Sequence, residues 1–399
     1  MSDYYKRSVE LHQKLHGKIE IASKTDVETK EDLSVVYSPG VAQPCLDIQE
    51  DEALAYTYTI KGNTVAVVSD GSAVLGLGNI GPLAAIPVME GKAMLFKRFG
   101  GIDAFPICLD TQNPAEIIET VKRIAPVFGG VNLEDISAPR CFEIEAALQD
   151  IGIPVFHDDQ HGTAIVTLAG IWNSCKVLGK KINELKVVIN GAGSAGVAIA
   201  KLLRCISLDP ETCLSVKEII ICDSKGVIHR KRDNLNPVKI ELLAYSNPNN
   251  VKGSLQDAIQ HADVFIGVSK GNLLTAEDVA TMNKNPVIFA LANPQPEITP
   301  DEAYKGGAAI VATGRSDYPN QVNNVLIFPG IFKGALDIRS KKITPEMKLA
   351  AAYALADCVQ HPSKEAIIPS AFDKGIANKV ASAVANSSHI ISTHNHNRI

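Results

Sequence analysis

No uninterrupted apolar run in this sequence approaches the roughly 20 residues needed to cross a bilayer, so no membrane partner is expected. The opening stretch MSDYYKRSVELHQKLHGKIEI is too polar for the apolar region of a signal peptide, which points to a cytoplasmic protein. Positive charge is not in excess. The formal net charge is −5 and the basic residues are scattered, which excludes the footprint of a nucleic-acid or anionic-lipid binder. The eight cysteines, at 45, 108, 141, 175, 205, 213, 222 and 358, contain no CxxC pair. They read as reduced, mostly buried thiols with no structural zinc site. Repeats of solenoid or propeller period and long low-complexity tracts are missing too.

What is present is an ordinary globular composition, 46% hydrophobic and 21% charged, over 399 residues. That length suggests two domains. Up to about Gln160, short β-like runs (TVAVVSD, DAFPICL, IPVFHDD) alternate with helix-like segments such as AEIIETVKRIA. From Val187 the alternation becomes regular, KVVING, AGVAIAKLLRCI, EIIICDSKG, ADVFIGVS and NPVIFALANP, which is the pattern of a parallel doubly wound sheet. The fold class expected is α/β, with an N-terminal α/β domain over residues 1–161 and a Rossmann-like domain over 162–399. GTAIVTLAGIWNSCKVLGKKI reads as a packed helix joining them. The polar tail NSSHIISTHNHNRI is expected to fray, its three histidines solvated rather than bound to metal.

Two stretches spell G-x-G-x-x-G. GAGSAG, Gly191 to Gly196, follows the β-branched run LKVVIN directly and opens a helix. Gly191 permits the tight turn, Gly193 lets the backbone approach a pyrophosphate, and Gly196 allows close helix–strand packing. Ala192, Ser194 and Ala195 complete the loop. Asp223, ending EIIICD, is placed to accept hydrogen bonds from an adenine ribose. Gly267 and Val268 end one later strand and Asn293 another, where ligand crevices form in parallel sheets. GLGNIG, Gly76 to Gly81, lacks that context: its strand stops several residues earlier, at DGSAV, and Pro82 and Pro87 are expected to break the segment behind it. It reads as a positioning turn. Beyond it, Lys92 lies in MEGKAMLFK, a segment so poor in charge that burial would lower its pKa.

Acids pair where strand-like runs end: Glu134 and Asp135 in NLED, Asp158 and Asp159 in HDDQH. Such clusters need a cation, and hard oxygen ligands suit Mg²⁺ or Mn²⁺. HDDQH imitates the zincin H-E-x-x-H, but it follows a strand and carries Asp158 in place of the glutamate, so zinc is rejected. Tyr37 precedes Ser-Pro-Gly, a turn; by itself it reads as a buried structural tyrosine.

Together these segments resemble the malic enzymes, in particular the shorter prokaryotic-type members, over nearly the whole chain. YSPGVA, SDGSAVLGLGNIG, PVMEGKA, NLEDI, HDDQHGTA, NGAGSAG, LANP and NNVLIFPG stand in family order. The resemblance implies a homodimer or larger homo-oligomer that binds NAD or NADP and a divalent metal. The activity it implies is oxidative decarboxylation of L-malate to pyruvate and CO₂. Carried over by position, Glu134, Asp135 and Asp159 look like the metal ligands, Lys92 like the general base and Tyr37 like the general acid. Asp158 is similar to the acid that orients the base. Asn293 and Asn323, with Asn324 beside it, resemble the amides that fix the dicarboxylate.

On that reading Lys92 is expected to be neutral, kept so by burial and the nearby cation. Longer members of the family carry an arginine in the turn before GLG; Ala73 stands there in this chain, so another group must hold that carboxylate. No acyltransferase-like domain is expected. Asp223 favours NAD, although Lys225, Arg230, Lys231 and Arg232 follow closely and could neutralise a 2′-phosphate. The alternatives are a malolactic-type conversion to lactate with NAD retained, and a catalytically silent nucleotide-binding protein.

Overall fold

The computed structural model describes residues 2–74 and 76–387; the histidine-bearing tail lies outside them. Two sheets organise the chain. The first has the order β2-β1-β3-β4, from β1 (Thr64–Ser69), β2 (Asp103–Cys108), β3 (Gly130–Leu133) and β4 (Val155–His157), all parallel. The second has the order β10-β9-β8-β5-β6-β7. It comprises β5 (Lys186–Asn190), β6 (Glu218–Asp223), β7 (Gly226–Val227), β8 (Val264–Gly267), β9 (Val287–Ala290) and β10 (Ile310–Thr313). Its strands are parallel except β7, a short antiparallel hairpin arm on β6.

Alternation explains why the central strands are apolar throughout. Val65 and Val67 of β1 enter one core with Met89, Phe96 and Phe156. Ala66 and Val68 enter another with Ile117, Val121 and Leu133. A strand covered on both faces has no solvent side to make polar. The same holds for β5, whose Val187 and Ile189 face the first core while Val188 faces a third.

A helix over Asp158–Leu178 links the sheets, with two acids in its first turn and Gly179 in the left-handed conformation after its end. Both features suit the helix dipole and cap. The expected division at 161/162 therefore falls inside one continuous helix. A later helix, Phe328–Asp337, returns to the first sheet: Phe332 stacks edge-on against Phe156 at 6.0 Å and Phe96 meets Phe328 at 4.7 Å.

Two sequence expectations are corrected here. Pro82 and Pro87 do not break the segment after GLGNIG; a single helix spans Gly81–Leu95. Pro82 lies in the first turn, where its missing N–H has no partner to lose, and the chain absorbs Pro87 within the helix. Nor are all cysteines free. Cys205 and Cys213 form a disulfide, with Cα atoms 5.8 Å apart. The chain turns back after the helix Ser194–Leu203 through positive φ at Cys205 and Ser207, a reversal that eight residues of spacing do not announce.

The first sixty residues form short helices, among them Ser2–Leu15, Lys30–Val36 and Ala42–Glu50. Sixteen of the twenty-five large apolar side chains exposed among the described residues belong to this stretch. No described helix is long and apolar enough to cross a membrane.

Candidate active site

Because the four strands of the first sheet run parallel, their carboxyl ends share one edge. Each of β1, β3 and β4 is followed there by acid: Asp70, then Glu134 and Asp135, then Asp158 and Asp159. The chain leaves β1 towards β2 on one side and β3 lies on the other, so this edge is a topological switch point, where parallel sheets open a crevice. Glu134, Asp135 and Asp159 each bring a carboxylate oxygen within 4.8 Å of the others. The backbone is shaped to this end. Asp135 takes a positive φ of 53°, its N–H donates to Asp159 Oδ2 at 2.8 Å, and its carbonyl accepts the Ala73 N–H at 2.9 Å. Asn132 Nδ2 donates to Glu134 Oε2 at 2.7 Å.

Lys92 enters from the helix Gly81–Leu95. Its Nζ lies 2.5 Å from Asp158 Oδ2 and 2.8 Å from Glu134 Oε1, with only 10% of the side chain exposed. It also sits 4.2 Å from the centre of the Phe328 ring. Burial acts to lower its pKa, but the carboxylates of Asp158 and Glu134 outweigh burial and hold it above the ordinary lysine range. Without a cation in the site Lys92 is therefore held as an ammonium, so burial alone does not make it the neutral amine. The neighbours that charge it come from β3 and β4, far away in sequence. Glu134 is pushed the other way from the usual ion-pair case: desolvation, together with Asp159, Asp158 and Asp135, raises it well above the carboxylate range despite Lys92. One ammonium faces four carboxylates. Such a site fits a further cation, and its all-oxygen donors are of the hard type that Mg²⁺ or Mn²⁺ takes.

The second sheet supplies a cleft of ≈ 960 Å³ at its own switch point, between β5 and β8. Gly191, Ala192 and Gly193 wall it, with Asp223 and Val268, and it reaches Ala138, Pro139 and Phe142 just beyond the acid cluster. The loop behaves as its spacing implies. A Cβ on Gly196 would meet the Gly191 carbonyl oxygen at 1.8 Å, and one on Gly191 would meet the Val268 carbonyl at 2.7 Å. Around Gly193, the N-cap of the helix Ser194–Leu203, there is open space, as a phosphate cradle requires. Ser194 and Ala195 begin that helix, and Gly267 ends β8. GLGNIG also lies between a parallel strand and a helix, but eleven residues, 70–80, separate the strand Thr64–Ser69 from the helix Gly81–Leu95. Gly76 lets this loop press on the second domain: a Cβ there would lie 2.7 Å from the Asn293 carbonyl oxygen.

Other expected site residues are placed differently. Tyr37 is neither buried nor beside Lys92. It caps the end of the helix Lys30–Val36 with 68% of its surface exposed, and its main chain bonds Leu33 and Val41. The arm touches the rest of the chain through Lys18, whose N–H donates to Glu90 Oε2 at 3.2 Å, and no hydrogen bond among the described residues joins the Tyr37 phenol to the acid cluster. Asn324, rather than Asn323, touches the cluster's backbone, donating to the Asp158 carbonyl at 3.3 Å and accepting from Thr163. The Asn323 side chain caps the short 3₁₀ turn Asn324–Leu326. Asn293 is exposed, its carbonyl lies against Gly76, and it precedes a cis proline. His157 and His161 do not share a metal: His161 Nε2 lies 2.8 Å from Glu145 Oε1, and the one metal-capable group among the described residues is the acid triad.

Sequence reading missed several residues. Asp70 is buried and accepts from Ser72 N–H at 3.0 Å and Arg140 Nε at 3.1 Å. Its position after β1 repeats the signal that singled out Glu134 and Asp158. Arg140 brings an arginine to the edge where Ala73 leaves none. Glu297 is wholly buried, accepting the N–H groups of Ser269 and Ala292 and so tying the ends of β8 and β9 together. Nothing in PQPEITP announces it.

Comparison with known proteins agrees with this geometry. Residues 160–389 match the family described as malic enzyme, NAD binding domain, and residues 16–116 match malic enzyme, N-terminal domain. The chain is 56% identical to the bifunctional malic/malolactic enzyme of Bacillus subtilis, covering 95% of this chain and 91% of that protein. It is 48% identical to an NADP-dependent malic enzyme of Halomonas elongata, covering 95% and 92%. The crystal structure of an NAD-dependent malic enzyme from Thermotoga maritima superposes with a TM-score of 0.90 at 51% identity, covering 94% of this chain and 98% of that one. Two family matches in chain order and identity at this level over nearly the full length have one consequence: the chain belongs to the malic enzyme family.

Proposed function

We propose that the chain catalyses the NAD(P)-dependent oxidative decarboxylation of L-malate to pyruvate and CO₂ in the cytoplasm. The observation that carries this reading is the convergence of three carboxylates on one point, beside Lys92 and next to the dinucleotide cleft. Glu134, Asp135 and Asp159 would hold the divalent ion. When bound, the ion supplies Lewis acidity to a 2-hydroxycarboxylate, and the dinucleotide accepts the hydride. The chain's own groups do the rest. Lys92 would first pass its own proton to Asp158, 2.5 Å away, and as the free amine would then take the proton of the C2 hydroxyl. Asn324 and Asn293 orient the carboxylates, and the cleft at Gly191–Gly193 seats the dinucleotide.

The remaining proton donor, Tyr37, is supplied by assembly. The arm carrying Tyr37 exposes Tyr4, Val9, Leu33, Val35 and Leu46, while the helix carrying Lys92 exposes Leu83, Ile86 and Met94. Apolar surface of that extent calls for a partner. A homodimer in which each arm lies across the other subunit covers both surfaces and delivers Tyr37 to the partner's site, in the reciprocal manner of a two-fold interface.

The test is the growth of nicotinamide absorbance with malate, Mn²⁺ and each dinucleotide, with products assayed in parallel. Pyruvate in step with reduced dinucleotide supports the reading. Lactate with no net reduction identifies the malolactic reaction, and no turnover with any pairing leaves a nucleotide-binding protein only.

A further inference from the structure

Asp223 ends β6 where an acid ordinarily reads the adenosine ribose by accepting its hydroxyls. Here the carboxylate is already saturated. Oδ1 accepts Arg232 Nη2 at 2.7 Å and the Lys225 N–H at 2.8 Å. Oδ2 accepts Arg232 Nη2 at 2.7 Å and Lys239 Nζ at 2.6 Å. An ionised carboxylate offers about four lone-pair positions, and four donor contacts occupy them. A ribose hydroxyl could bond Asp223 only by displacing a charge-assisted partner, which is the stronger kind of hydrogen bond.

The cations around it do not all play one role. Arg232 is structural: its Nη1 also reaches the Gly226 and Val227 carbonyls, locking the β6–β7 hairpin, and it is not among the residues facing the cleft. Arg230 points to the carbonyls of Asn247 and Leu243. Lys239 and Lys225 both line the cleft, together with Ser224 and Asn236. Lys239 uses one of its three ammonium donors on Asp223, and the Lys225 contact with Asp223 is through its backbone, leaving the ammonium group for the cleft. The acid's single charge is offset by Arg232, and two lysines remain at the adenosine end.

Resting on the NAD(P) reading above, we propose that this end of the cleft is a seat for a 2′-phosphate, with Lys239 and Lys225 as the specificity-determining residues. The chain then selects NADP over NAD, against the preference that the bare presence of Asp223 suggests. Asp223 serves as a positioning residue that holds Lys239 in place.

The test is calorimetric titration of the full chain with adenosine 2′,5′-bisphosphate and with adenosine 5′-monophosphate, which differ by the phosphate alone. The bisphosphate should bind about tenfold or more tightly, as charge-assisted bonds to one or two lysines require. Its advantage should shrink as salt rises, since the lysine heads are partly exposed. Lys239→Ala should remove most of the advantage and leave the monophosphate affinity within about twofold. Lys225→Ala, on an exposed side chain that cannot compromise folding, should remove a smaller part. Equal binding of the two ligands, tighter binding of the monophosphate, or an unchanged ratio in both variants would overturn the proposal. Neither ligand is turned over, so failure of malate oxidation would defeat the activity proposed above without touching this result.

Discussion

Replacing Lys92 by methionine keeps the side chain's length and apolar stem while removing the only ammonium that, among the described residues, pairs with Glu134 and Asp158. Both acids are buried and lie 2.8 Å and 2.5 Å from Nζ. Removing one partner of a buried ion pair costs about 3–5 kcal/mol, because the charge left behind has neither water nor a counterion. Set against the stability of an ordinary domain, about 5–15 kcal/mol, that is a large share. The pH dependence has a definite sign. Burial already raises Glu134 well above its ordinary value and raises Asp158 too, and in the variant the Lys92 ammonium no longer opposes it. The folded variant therefore holds protons that the unfolded chain releases, so its stability falls as pH rises from the ordinary carboxylate range through the folded values. Lys92 itself is raised, and its contribution in the native protein is lost only when pH climbs past the ordinary lysine range. The gap between variant and native protein should thus widen from about pH 5 to about pH 8. Scanning calorimetry reads it as a fall in the melting temperature on the order of 10 °C at the higher pH. Saturating Mn²⁺ should stabilise native protein and variant alike, by about 2.7 kcal/mol at one hundred times its Kd for each. A loss below about 1 kcal/mol that does not change with pH would refute the claim that these groups form one buried charge network.

Other expectations are independent of that one. Mixing Tyr37→Phe with Lys92→Met subunits, each inactive alone, should restore about a quarter of native activity. Half the dimers are then mixed and carry one intact site each, so no recovery after subunit exchange would rule out a tyrosine donated across the interface. Asp159→Ala should abolish the rise in melting temperature that Mn²⁺ gives the native chain, worth about 2–4 kcal/mol; an unchanged rise would place the ion elsewhere. Gly193→Val fills the open cradle and should raise the KM for dinucleotide about tenfold or more with little change in melting temperature. A bulky residue at Gly78, where φ is +79°, should instead lower kcat or stability. Glu297→Ala frees the N–H groups of Ser269 and Ala292 and should cost about 1–3 kcal/mol, and denaturation that matched the native chain would show that β8 and β9 hold their ends without it.

Much of the architecture was legible because it rests on local rules. The β-branched runs at 64–69, 186–190 and 218–223 have no polar face, which is what strands covered on both sides require. GAGSAG could be distinguished from GLGNIG because its first glycine directly follows a strand. Acids directly after strand ends marked Glu134, Asp135, Asp158 and Asp159, and the same rule applied to SDG would have found Asp70. Where reading failed, the missing information came from distant chain. Pro87 sits inside a helix because packing around Gly81–Leu95 outweighs one lost hydrogen bond. The cysteines at 205 and 213 meet through a loop reversal set by two left-handed residues.

Sequence alone therefore determined the order of strands and helices, the glycine-rich loop that turns from a strand straight into a helix, and which acids end up at a sheet's carboxyl edge, since each follows from patterns a few residues long. Only the tertiary structure decided charge and reach. Without a bound cation Lys92 is held as an ammonium because β3 and β4 bring carboxylates to it, Asp223 is saturated because a hairpin and a helix close around it, and Tyr37 is exposed because no other element packs over its ring. Electrostatic fields and exposed apolar area are sums over neighbours in space, and those neighbours are not neighbours in the chain.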